Sequence, residues 1–102
     1  MFNKSIELIS YTQTTDEIGQ LIESPSYKKV FAALKSVPQS EFFLAGQSSI
    51  RPECCFVVRT GEYKGERKLR YNGSIYTIYR YYDRTNEMTE LYCEQRAGEA
   101  NG

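Results

Sequence analysis

Asn72-Gly73 constrains this chain more than any other pair of residues. It stands between Leu69-Arg70-Tyr71 and Ser74-Ile75-Tyr76-Thr77-Ile78-Tyr79, two β-prone arms. A two-residue type I′ turn requires positive φ at both central positions, which asparagine and glycine tolerate, so the pair predicts a tight antiparallel hairpin. The remainder of the carboxy-terminal half agrees with it. Cys54-Cys55-Phe56-Val57-Val58-Arg59 is a short β-prone run closed by the Thr60-Gly61 turn signal. Arg80 to Glu87 is polar and predicts a connection. Met88 to Glu94 alternates, with Met88, Glu90, Tyr92 and Glu94 on one face and Thr89, Leu91 and Cys93 on the other, so it predicts a final strand.

In the amino-terminal half, Ile6 to Thr12 has strand character and ends in the polar run Thr12 to Glu17, which predicts a turn. Leu21-Ile22-Glu23 can return as the second arm, with Ser24-Pro25-Ser26 expected to interrupt it because proline cannot donate to a ladder. Tyr27 to Val37 predicts another extended stretch with Val30, Ala32 and Leu34 on one face, although Val30-Phe31-Leu34 also fits helical spacing. Pro38-Gln39-Ser40-Glu41 has the composition of a helix start, and Gly46 is placed to end a short helix from Ser40 to Ala45. Gly46 to Glu53 has loop composition and predicts a mobile surface loop.

Six short strands and one short helix in 102 residues make a mainly β fold. The expected architecture is a small closed or nearly closed β-barrel, or a small sandwich, because closure removes exposed edges. The expected organisation is a single domain over residues 1–96 with a small, polar, disordered tail at 97–102. The start lacks the apolar core of a signal peptide, and no run is long enough to span a membrane.

Composition narrows the chemistry. The chain contains no histidine, which removes the commonest general base and metal ligand and with them the usual Ser-His and Cys-His systems. Three cysteines, at 54, 55 and 93, are a poor disulfide framework and too few for a closed thiolate zinc site. They read as buried thiols, with only one of the adjacent pair in the core. Gly61 to Lys68 lacks the Gly-Lys-Ser/Thr end of a phosphate loop and reads as a charged hairpin loop. Glu7, Glu23 and Glu90 fall in alternating patterns expected to face solvent. No catalytic residue, metal site or cofactor is therefore expected.

Charge is balanced at 13 basic against 13 acidic residues, which excludes a generally basic nucleic-acid coat. The balance is uneven along the chain. Residues 59–84 hold Arg59, Lys64, Arg67, Lys68, Arg70, Arg80 and Arg84 against Glu62, Glu66 and Asp83, a net of +4, leaving −4 elsewhere. Tyr71, Tyr76, Tyr79, Tyr81 and Tyr82 are interleaved with these arginines. Tyrosine as a strand and packing residue is the favoured reading, ahead of a partner interface and a base-stacking platform.

Four features in order resemble the head-tail joining proteins (head-closure or stopper, head-tail adaptor) of long-tailed bacteriophages: Glu41-Phe42-Phe43-Leu44-Ala45-Gly46-Gln47, Phe56-Val57-Val58-Arg59, Leu69 to Ile78, and Glu90-Leu91-Tyr92-Cys93. Members often carry a tryptophan or other large aromatic in the second strand region, where this chain has Tyr27 or Phe31. The resemblance implies a small barrel acting as a structural virion protein and not as an enzyme. It would form a ring of twelve below the portal and adaptor, join head to tail, and help retain packaged DNA. The implied partners are the portal/adaptor connector proteins and the tail-completion protein, with DNA nearby but not bound by sequence and no membrane. The chain would be a monomer before meeting the connector, in the host cytoplasm during assembly and at the head-tail interface of the virion afterwards.

Carried onto this sequence, the channel-side loop is Gln47, Ser48, Ser49, Ile50, Arg51, Pro52 and Glu53. The candidate partner-contact hairpin, chosen from its charge, is Glu62, Tyr63, Lys64, Gly65, Glu66, Arg67 and Lys68. The alternative reading is a small OB-like or SH3-like nucleic-acid-binding module using the tyrosine and arginine side chains.

Overall fold

The computed structural model describes residues 2–41 and 50–95. Six strands close into an antiparallel barrel in the order β1-β2-β3-β6-β5-β4. They are β1 (Lys4–Thr15), β2 (Leu21–Lys35), β3 (Pro52–Arg59), β4 (Lys68–Tyr71), β5 (Ser74–Asp83) and β6 (Met88–Glu94), with a 3₁₀ turn at Thr60–Glu62. The mainly β barrel expected from the sequence is the fold.

Alternation fills the interior. Ile6 and Leu8 of β1, Val30 and Ala32 of β2, Phe56 and Val58 of β3, Leu69 of β4, Ile78 of β5, and Leu91 and Cys93 of β6 form one buried cluster. Facing strands supply matched layers, with Phe56 paired to Leu91 and Cys54 to Cys93. Tyr71 closes edge-on against Phe56 with ring centroids 5.0 Å apart. Thr89 is fully buried, yet its hydroxyl meets Asp83 at 2.7 Å and Thr60 at 2.9 Å, so its polar atom is satisfied. The Asn72-Gly73 hairpin forms as expected: Asn72 has φ +52° and Gly73 φ +80°, and Tyr71 pairs with Ser74 across it.

Several expectations fail for identifiable reasons. The first two strands are long, and Pro25 does not interrupt β2 but pairs with Tyr11 inside a continuous fifteen-residue strand. β2 meets β3 only over Ala33–Lys35, so its other edge has no ladder partner at Pro25 among the described residues, and a missing N–H is tolerated there. Arg80 to Asp83 continue β5 beyond a register shift at Ile78/Arg80, which leaves the turn to residues 84–87. Pro52 and Glu53 open β3 instead of belonging to the preceding loop. The 62–68 segment is not a hairpin: β3 and β4 are not neighbours, so it crosses one end of the barrel, with Tyr63 packed against the core. A helical turn begins at 39–41, and the rest of the expected helix, residues 42–45, lies outside the described residues, as does the expected tail at 97–102.

β1 and β2 outrun the barrel. Only Glu7–Ile9 of β1 pair with β4, whereas β1 and β2 continue pairing from Ser10↔Ser26 to Thr15↔Leu21. At about 3.3 Å per residue those six pairs carry a two-stranded arm roughly 20 Å past the barrel. The molecule measures 50 × 30 × 24 Å accordingly.

Candidate functional site

The outer face of β3, β6 and β5 is unusual for a barrel this small, because charged and hydroxyl groups are buried on it. Glu41 and Glu90 are both almost inaccessible. Arg80 grips Glu41 with two bonds, Nε to Oε2 at 2.9 Å and Nη2 to Oε1 at 2.6 Å, and the Tyr79 hydroxyl donates to Glu41 Oε2 at 2.9 Å. The Arg80 hydrogen bond, reinforced by Tyr79 and opposed by burial, holds the Glu41 carboxyl below its ordinary range. The same guanidinium lies 4.1 Å from the Tyr92 ring centroid. Tyr92 in turn donates to Glu90, which also receives Lys35 at 3.0 Å and the Arg84 guanidinium. Burial pushes the Glu90 carboxyl up, but hydrogen bonds from Tyr92, Lys35 and Arg84 outweigh it and bring its pKa to about 2.

This network has a mechanical consequence. Glu41 ties the chain leaving β2 onto β5. On the far side of the candidate channel loop, the Arg51 amide donates to Glu94 Oε1 at 3.3 Å and Pro52 pairs with Glu94. Glu41 and Arg51 are thus each held to the barrel. Gln47, Ser48 and Ser49 lie outside the described residues. Ile50 and Arg51 precede β3, and Pro52 and Glu53 are within it. The expectation that Glu90 faces solvent fails, because its face of β6 is covered and its charge has three partners. Glu7 is half-exposed and paired with Arg70 at 2.7 Å, whereas Glu23 is exposed as expected.

The sequence-local excess of positive charge is largely neutralised in space. Arg70 meets Glu7, Arg80 meets Glu41 and Arg84 meets Glu90, three acids from outside the basic segment that the fold brings to it. The tyrosines do not form one platform either. Tyr71 and Tyr76 pack against the core, Tyr79 is tied to Glu41, Tyr81 leans on Tyr63 at 5.3 Å, and Tyr82 is exposed.

Of the residues in the 62–68 segment, Tyr63, Gly65, Glu66, Arg67 and Lys68 line a groove of about 730 Å³ along β5, which Tyr79, Arg80 and Tyr81 also line. A second recess of about 300 Å³ adjoins it and includes Lys64. Burial raises the Tyr63 hydroxyl pKa to about 12, and that hydroxyl donates to the Glu66 carbonyl at 2.8 Å, so the ring is fixed. Glu62 is tied to the barrel part of β2 instead: Lys28 Nζ donates to its carbonyl at 3.1 Å and lies 3.8 Å from its carboxylate.

The arm is a surface that the sequence expectations did not include. Ile18 is 79% and Leu21 72% exposed, and Tyr11, Ile22 and Tyr27 are also exposed. Its turn is firmly built, with Asp16 Oδ1 accepting the Ile18 and Gln20 amides at 3.0 and 2.8 Å. A signal for it was present in the sequence: no stretch between Ser10 and Lys29 alternates as Ile6 to Ile9 and Val30 to Ala32 do, although both flanks are β-prone.

Cys55 and Cys93 are buried and Cys54 is half-buried against the core, all as free thiols. Burial raises the Cys55 thiol to about 12, with the Glu90 charge adding to it, which removes it from nucleophilic chemistry near neutral pH. Among the described residues no group of three or more Cys, Asp or Glu side chains is placed to hold a metal ion.

Comparison with known proteins adds two findings. The model of the family described as phage head completion protein matches residues 1–98. The solution structure of protein SF1141 from Shigella flexneri 2a is similar in fold, with a TM-score of 0.74, 16% identity and 95% of each chain covered. No curated protein matches.

Proposed function

Since this chain belongs to the phage head completion protein family, we propose that it assembles as a ring beneath the portal and adaptor, where it joins head to tail and helps retain packaged DNA. The family match over residues 1–98 carries this reading, because it spans every strand of the barrel and not one shared motif. The geometry supports it. A barrel with a satisfied polar network gives a rigid body, Glu41 and Arg51 are each held to the barrel, and the arm and groove give surfaces for neighbours. Arg70, Arg80 and Arg84 are each paired with a carboxylate, so the reading places them in the protein's own ion pairs and not against nucleic acid.

The mechanism is one of joining and sealing. Portal, adaptor and tail-completion proteins would meet different faces of the ring. The loop that includes Ile50 and Arg51 would sit toward the channel, with Pro52 and Glu53 as its strand-bound base.

The test is a phage unable to make this chain. Packaged heads from it should lose DNA to nuclease and accept no tails, and adding the purified protein should restore nuclease resistance and tail attachment. Infectious tailed particles formed without the chain would overturn the reading.

A further inference from the structure

The tip of the arm and the groove along β5 complement each other in one chain but cannot meet within it. The tip carries exposed Ile18, Leu21 and Ile22, with Glu17 and Glu23 beside them and no lysine or arginine between Lys4 and Lys28. The groove has an aromatic wall of Tyr63, Tyr79 and Tyr81 and a rim bearing Lys64, Arg67 and Lys68. Lys64 and Arg67 make no ion pair with the described residues, and of the two acids in the lining Glu66 accepts the Lys64 amide at 2.7 Å while Asp83 accepts the Thr89 hydroxyl at 2.7 Å. β4, which begins at Lys68, pairs with Ile9 at the root of the arm. The groove therefore lies at the root, roughly 20 Å from the tip along an extended ribbon that cannot fold back on itself.

We infer that the apolar, acidic tip of the β1–β2 arm of one copy docks in the aromatic, basic-rimmed groove of the next copy. The occupant is a second copy and not an unrelated protein because both halves of the match are present on one chain of zero net charge. An unrelated partner would need only one of them. Two different patches meeting make a head-to-tail contact, which propagates around an axis and closes into a ring when the rotation allows. The inference rests on the connector reading and names the contact that builds the ring. Complementary charge sets the register of the two surfaces, and the apolar tip excludes water from the aromatic wall.

The experiment uses phage particles whose only source of the chain is the double variant Leu21→Cys with Tyr81→Cys, oxidised and then denatured. A ladder at multiples of the chain mass is expected, absent from the wild type and from either single variant. Tailed particles that form and give no ladder, or link the chain only to a different protein, would overturn the inference. Charge exchange tests it independently. Glu17→Arg and Arg67→Glu should each lower the yield of tailed particles roughly tenfold, and the two together should restore it. A double variant no better than the worse single one, with all three melting like the wild type, would also overturn it. Failure of the connector reading looks different, since the wild-type chain would then be missing from purified tailed particles.

Discussion

The two halves of the β1–β2 hairpin put the same backbone to opposite uses. From Lys4 to Ile9, β1 belongs to the barrel, with β2 along its length and β4 on its other edge at Glu7–Ile9, and buries Ile6, Leu8 and Ile9. From Ser10 to Thr15 it has β2 alone, and every residue on both faces is exposed. Pairing is continuous across the boundary, so hydrogen bonding does not distinguish the halves. Closure does. A third and fourth strand give the inward face something to pack against, and burial of apolar area, not ladder length, makes that half rigid. The arm is held by its ladder and its Asp16-capped turn, which leaves its apolar side chains available to a neighbour.

The sharpest way to break this contrast is to remove equal kinds of apolar group from each half of the molecule. Phe56→Ala, in the closed core, should destabilise by about 3–5 kcal/mol in denaturant unfolding. Leu21→Ala, on the arm, belongs at the other end of the scale. The Glu90 network comes second: Glu90→Gln leaves Lys35 and Arg84 facing each other without their shared carboxylate and should cost on the order of 2 kcal/mol, the partners being about one-third exposed.

The same residue sets an acid response. Its carboxyl titrates at about 2 when folded against 4.5 ordinarily, so between those values the unfolded chain holds more protons. Its contribution is fully present above pH 4.5 and lost as pH falls toward 2. Thermal melting followed from pH 6 to pH 2 should show that loss, and the Glu90→Gln variant should show a shallower slope.

Glycine turns sharpen the comparison on a finer scale. Gly73, φ +80°, closes the barrel hairpin, and Gly19, φ +86°, closes the arm; a Cβ at either meets nothing within 4 Å. Backbone strain is thus the whole effect. Gly73→Ala should lower global stability by about 1 kcal/mol. Gly19→Ala should loosen mainly the arm, seen as faster amide exchange at residues 10–27 with a smaller change in global unfolding. Smallest of all, Leu21→Ala should shift unfolding by no more than about 0.5 kcal/mol, and a larger loss would mean that the tip packs on its own barrel.

Much of the barrel was legible because its signals are local. The Asn72-Gly73 turn, the Cys54 to Arg59 run and the Met88 to Glu94 alternation each depend on residues within a few positions of one another, and each forms as expected. Pro25 misled because its effect depends on whether the adjoining edge is paired, which is a property of the sheet and not of the segment. Glu90 misled for a similar reason: alternation placed it correctly on the outer face but could not say that the face is covered.

Local signals are enough for a β chain with a tight hairpin, an apolar interior and no histidine chemistry, because turn geometry and period-two patterning act over short separations. The placement of the charges depends on the folded barrel. Residues 59–84 carry +4 along the chain, yet strand pairing and the buried outer face set Glu7 on Arg70, Glu41 on Arg80 and Glu90 on Arg84. What remains polarised is the acidic arm tip and the rim of the groove, two surfaces that a count along the sequence cannot separate from the neutralised pairs. Coulomb energy depends on distance through space, and the closed barrel brings Glu7 and Arg70 together although they lie 63 positions apart in the chain.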